Sequence, residues 1–195
     1  MSASLTHQQI NKIGNTLLYL AKNVGDLSKT KILKLLFLLE ESSIKKFAVP
    51  FFGAGFQLWK FGPVIKDVYV DLSEQKLNLF KDFIKVDKYD SLLYQAIGEF
   101  NDDEFSDNDI FLLEKITEFA RHKTAKNLVD FTHEETSLWR RSAAKYGILN
   151  ALESGAINTS DYHIDFSLLF DDNDELKKYY QEVSDNRQFI NSLKP

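Results

Sequence analysis

Apolar residues recur at three- and four-residue intervals over much of the chain, and that period predicts helices. Ile10, Ile13, Leu17, Leu18, Leu20 and Ala21 share one face of a predicted helix over 6–24. Thr6 sits where a capping residue belongs, with Gln9 three positions later to complete a capping box. Gly25 and Asp26 end it. A second helix, about 28–47, has a centre, Ile32-Leu33-Lys34-Leu35-Leu36-Phe37-Leu38-Leu39, that is apolar nearly all round. Such a helix is buried on several sides, so this one is expected at the centre of the core.

The period then changes. Pro50, Gly53 and Gly55 interrupt a run of aromatic residues, and 56–60 reads as a short strand or hairpin arm. Gly62-Pro63 follows, and proline suits the first turn of a helix. A helix over about 64–73 is therefore predicted. The stretch 83–86 reads as a strand that pairs with 56–60, while 92–100 is ambiguous between strand and helix. Helices resume with Ser106 and Asp109 at capping-box spacing, and end near His122. Thr124 and Ser137 cap two further short helices, 125–131 and 138–146. After Gly155 the chain turns polar. Ile164, Phe166, Leu168, Leu169 and Phe170 then form an apolar patch that must dock, and an acid-started helix, about 174–192, closes the sequence. The expectation is a mainly α fold: a compact helical domain, 1–155, around a buried central helix. It carries a small antiparallel β element and an acidic helical extension, 156–195, docked on the same domain.

Composition narrows the function. Only 8 Gly and 3 Pro among 195 residues suit long helices. With no cysteine there is no disulfide framework, no Cys-ligated metal and no thiol nucleophile. The first ten residues lack the charge and apolar block of a signal peptide. The run 35–39 is far shorter than the roughly 20 residues of a membrane span. A cytoplasmic protein without membrane contact is expected.

Net charge is −5, unevenly placed: seven Lys against three acids in residues 1–50, and acid in excess thereafter. The lysines are scattered as on solvated helix faces, which makes nucleic acid an improbable or secondary partner. The four histidines, His7, His122, His133 and His163, have no metal-ligand spacing. Gly53-Ala54-Gly55 lacks the later residues of a phosphate-binding turn. Glu40/Glu41 and Glu134/Glu135 read as solvated pairs. Phe51, Phe52, Phe56 and Trp59 could form a base-stacking platform, but core packing explains them more simply. No cofactor, metal or catalytic residue is predicted.

Two strings carry a resemblance. The first is Lys34-Leu35-Leu36-Phe37, then Pro50-Phe51-Phe52, then Trp59-Lys60-Phe61-Gly62-Pro63-Val64. The second is Leu128, then Thr132-His133-Glu134-Glu135, then Ser137-Leu138-Trp139. Over about residues 6–146 the chain resembles the Panacea domain, a phage- and prophage-associated, SocA-like antitoxin family. Phe37 and Phe61 stand where that family commonly has Tyr, and Leu138 stands where it has Pro.

The resemblance implies a non-enzymatic antitoxin of a toxin–antitoxin system. Its partner would be a cognate toxin protein encoded by an adjacent gene. The alternatives are a DNA-binding regulator, possibly of its own operon, or an adaptor delivering a partner to a protease. The DNA-binding alternative needs Lys29, Lys31, Lys34, Lys45 and Lys46 on one exposed surface. Trp59, Gly62, Pro63, Thr132 and Trp139 are expected to be structural, with Gly62-Pro63 as strand-to-helix punctuation. Lys60, His133, Glu134 and Arg140 are the candidates for partner contact.

Overall fold

A computed structural model describes residues 4–74 and 77–192. Helix α1 is His7–Asn23. Its capping box forms as the spacing predicts: Gln9 N donates to Thr6 Oγ1 (3.2 Å) and Thr6 N to Gln9 Oε1 (3.0 Å). Helix α2, Lys29–Phe47, starts at Ser28, whose hydroxyl accepts from Lys31 N. Ile32, Leu35, Leu36 and Leu39 on α2 are completely buried, and Phe37 nearly so. The apolar-all-round pattern thus produces what burial demands, a helix covered on every side. Glu40 completes its setting by accepting from Phe52 N (2.6 Å) and Gly53 N (3.2 Å). That bond ties the loop after α2 back to the helix.

The β element differs from the expectation. Strand β1, Gln57–Trp59, pairs antiparallel with β2, Gly62–Val64, in the register Trp59↔Gly62 and Leu58↔Pro63. Gly62 has φ +98, a conformation that favours glycine, and it lets the chain reverse after Lys60-Phe61. Pro63 therefore lies in a strand rather than in the first turn of a helix. It is tolerated there because β2 has only β1 beside it in the sheet. Helix α3 is correspondingly shorter than predicted, Lys66–Asp71.

Strand β3, Ile84–Val86, pairs with β4, Tyr94–Ala96, and not with 56–60. One edge of β1 is taken by β2. The other receives the segment after Gly155: Leu58 N donates to Tyr162 O, Lys60 N to Asn158 O, and Ile164 N to Phe56 O. Asp87 closes the β3–β4 hairpin by accepting from Tyr89 N and Asp90 N.

Helix α4, Asp107–Ala120, has the Ser106/Asp109 capping box. Helix α5, Ala125–Thr132, is capped by Thr124, and α6, Leu138–Lys145, by Ser137. Helix α7, Leu149–Ser154, escaped the sequence reading: Leu152 is its only buried residue and no side chain caps its start. A 3-10 helix, Phe166–Phe170, seats the apolar patch, with Phe166 packed on Phe37 and Phe56. Helix α8, Asp174–Ser192, follows. The last three residues of the acidic extension lie outside the described residues. The fold is mainly helical around α2, with two small antiparallel sheets and a C-terminal helix.

Burial overturns part of the charge reading. Of the seven lysines in residues 1–50, Lys12, Lys31 and Lys34 are buried rather than solvated. Lys12 pairs with Asp109 at 2.9 Å, and Lys31 donates to Gly25 O. The shared basic surface that a DNA-binding role would need loses Lys31 and Lys34 to the interior. Glu40 is likewise buried, because two backbone N–H groups take its carboxylate inside. Phe51, Phe52 and Phe56 are buried in the core, as the simpler reading expected.

Candidate functional site

The residues that carry the resemblance come from four separate stretches of sequence, and they meet in one place. Lys34 points from α2 under the β1–β2 hairpin, where Nζ donates to Pro63 O at 3.3 Å. A Cβ on Gly62 would stand 2.7 Å from Lys34 Nζ and 3.1 Å from Thr132 Oγ1. Glycine is therefore needed twice at position 62, for the backbone conformation and for the close approach of two buried side chains. Thr132, buried at the end of α5, donates to Val129 O (2.9 Å).

His133 joins the same cluster. Its Nδ1 lies 2.8 Å from Val129 O and its Nε2 2.9 Å from Lys60 O. Both partners are carbonyl oxygens, so a neutral ring donates to one of them and only an imidazolium donates to both; in either form the ring lies between α5 and the tip of the hairpin. The imidazole packs on the Trp139 indole, centroids 4.2 Å apart. Trp139 is 1% exposed, and its Nε1 donates to Trp59 O at 2.9 Å. Trp59 in turn donates to Gln57 Oε1 and meets Tyr69 edge-on. Both indole N–H groups, that of buried Trp139 and that of half-buried Trp59, thus have an acceptor.

Within this cluster, Lys34 is the residue whose burial the sequence reading missed. It is 2% exposed, and no carboxylate pairs with it among the described residues. Burial alone lowers its pKa from 10.5 to about 7. The signal was in the sequence: a lysine inside a run apolar on all sides has no route to water except along its own stem.

The four contact candidates fare differently. His133 is half-buried and spent on the internal bridge just described. Arg140 is half-buried and paired with Glu153 at 2.5 Å, which links α6 to α7. Lys60 is half-buried at the hairpin tip, and its ammonium makes no ion pair among the described residues. A Cβ on Gly155 would stand 2.5 Å from that ammonium. Next to Lys60, Phe61 is 67% exposed. Glu134 is exposed at the end of α5.

Glu134 also lines a cleft of about 330 Å³ between α2, α4 and α5, together with Leu38, Glu41, Phe119, Phe131 and Thr132. The cleft and the buried cluster share Thr132. A larger cleft, about 660 Å³, meets α2 at Ser43 and Phe47 and is lined in part by Lys12, Phe51, Phe52 and Asp109.

The family described as Antitoxin SocA-like, Panacea domain, matches residues 32–140, more than half of the chain. The protein belongs to this family. The matched span opens with the central helix and ends just after Trp139, so it encloses every member of the buried cluster. No curated protein and no solved structure matches the chain. Membership supports an antitoxin role with a protein as the partner, and suggests a non-enzymatic mode of action. Among the described residues no helix is long and apolar enough to cross a membrane.

Proposed function

We propose that this chain neutralises a cognate toxin, the product of an adjacent gene, by binding it directly. The family match over residues 32–140 carries the reading. The arrangement of the motif residues supports it. Lys34, Gly62, Thr132 and Trp139 are occupied in holding α2, the hairpin, α5 and α6 together. The residues left open beside them, Lys60, Phe61 and Glu134, form the rim of that cluster and are the proposed contacts.

We take residues 1–155 as the family domain and 156–195 as an acidic extension that adds a second contact surface. Its acids, from Asp161 to Glu182, favour a basic toxin, since opposite charge speeds encounter. The extension is bound to the domain through β1, and through Arg141, which donates to Leu168 O and pairs with Asp171.

Co-expression with the product of the adjacent gene tests the reading. Restored growth and a co-purifying complex are expected. Restored growth with loss of the toxin protein would replace masking by delivery to a protease. No rescue and no complex would refute the proposal.

A further inference from the structure

Glu41 stands seven residues beyond Lys34, on the same face of α2. It is half-buried in the wall of the α2–α4–α5 cleft and makes no hydrogen bond or ion pair among the described residues. A carboxylate held partly out of water without donors is an unfavourable arrangement. Burial pushes the Glu41 carboxyl up to about 7, and the attraction of Lys45 one turn on offsets this only in part.

The opposite walls bear two rings. Phe119 and Phe131 contact each other with centroids 5.7 Å apart, yet both are more than a third exposed. Lys123 Nζ lies 5.4 Å from the centre of the Phe119 ring, so that face already meets a cation. Glu134 adds a second carboxylate to the lining, which also holds the ammonium of Lys45, while Lys123 is outside the lining and reaches only the Phe119 ring.

We propose that this cleft receives an arginine side chain of the protein partner, its guanidinium meeting Glu41 and Glu134 beside the rings of Phe119 and Phe131. A planar guanidinium can stack on a ring and bind a carboxylate through two N–H groups at once. An ammonium offers only a point charge, and an apolar side chain would seal Glu41 away from water with nothing in return. The inference rests on the chain being a protein-binding antitoxin, and it names the kind of side chain that is bound.

The test needs no toxin. The full ¹⁵N-labelled chain is titrated with N-acetyl-arginine amide and, separately, with the neutral isostere N-acetyl-citrulline amide, and amide shifts are followed. Saturable shifts confined to α2, α4 and α5 are expected with arginine, at a dissociation constant on the order of millimolar. Citrulline should give none. Glu41→Gln keeps the side-chain shape and should weaken binding at least about fivefold. Phe131→Leu should weaken it while leaving the thermal midpoint close to wild type.

Equal shifts from citrulline, shifts elsewhere only, or unchanged binding by Glu41→Gln would overturn the proposal. Growth rescue alongside a failed titration would remove the arginine site and leave the antitoxin reading standing. A successful titration without rescue would do the opposite.

Discussion

Replacing Lys34 by Met keeps an unbranched side chain of similar size and removes the ammonium. Lowering an amine from 10.5 to about 7 means that the interior opposes its charged form by roughly 5 kcal/mol. The unfolded chain protonates Lys34 at any pH below 10.5, the folded chain only below about 7. Between those limits the unfolded state binds more protons, so stability climbs as pH rises. The penalty is whole below pH 7 and gone above 10.5.

From pH 6.5 to pH 9 this group should add about 2–3 kcal/mol to wild-type stability, and nothing to Lys34→Met. The variant also loses the hydrogen bond to Pro63 O, worth about 1 kcal/mol. At pH 6.5 it should therefore be the more stable protein by roughly 3–4 kcal/mol, an advantage that shrinks to about 1 kcal/mol at pH 9. Urea denaturation followed by circular dichroism at the two pH values measures this. Taking the difference between the two proteins cancels groups they share, Glu41 among them. A gap that does not change with pH, or a variant less stable at pH 6.5, would refute the picture of an unpaired buried lysine.

Gly62→Ala should cost about 2–4 kcal/mol in the same assay, because alanine is strained at φ +98 and its Cβ would press on Lys34 Nζ and Thr132 Oγ1. Trp139→Phe should cost about 2–3 kcal/mol, since it leaves Trp59 O without its donor and a small void beside His133. Glu41→Gln should stabilise the chain by up to about 3 kcal/mol at pH 8. That gain should vanish near pH 4, because the folded carboxyl titrates at about 7 and the unfolded one at 4.5, so the cost of ionising it in the fold appears only as pH rises.

Local rules account for what the sequence made legible. The Thr6/Gln9 and Ser106/Asp109 pairs form the capping boxes their spacing implies, and the all-apolar centre of α2 became the buried axis. The β pairings were not legible, because they depend on which edge of β1 remains open. Gly62 reads as a helix-entry signal next to Pro63; its pairing with Trp59 makes it the start of a strand, and the tertiary approach of Lys34 and Thr132 adds a second reason for glycine there. The motif residues were visible as strings, but their convergence was not. Lys34 and Thr132 are 98 positions apart, and only the packing of α2 against α5 brings both beneath Gly62. Glu41 reads as an ordinary helix-surface acid until α4 and α5 close the cleft around it.

The central claim is that this family member neutralises a toxin by holding it. The direct measurement is growth of cells expressing the adjacent gene, with and without the chain, followed by purification of the complex from the rescued cells. Neutralisation by direct binding predicts restored growth and a stable complex containing both proteins, weakened by charge reversal at Lys60 and Glu134. Unrelieved toxicity with the chain folded and present in excess would contradict it.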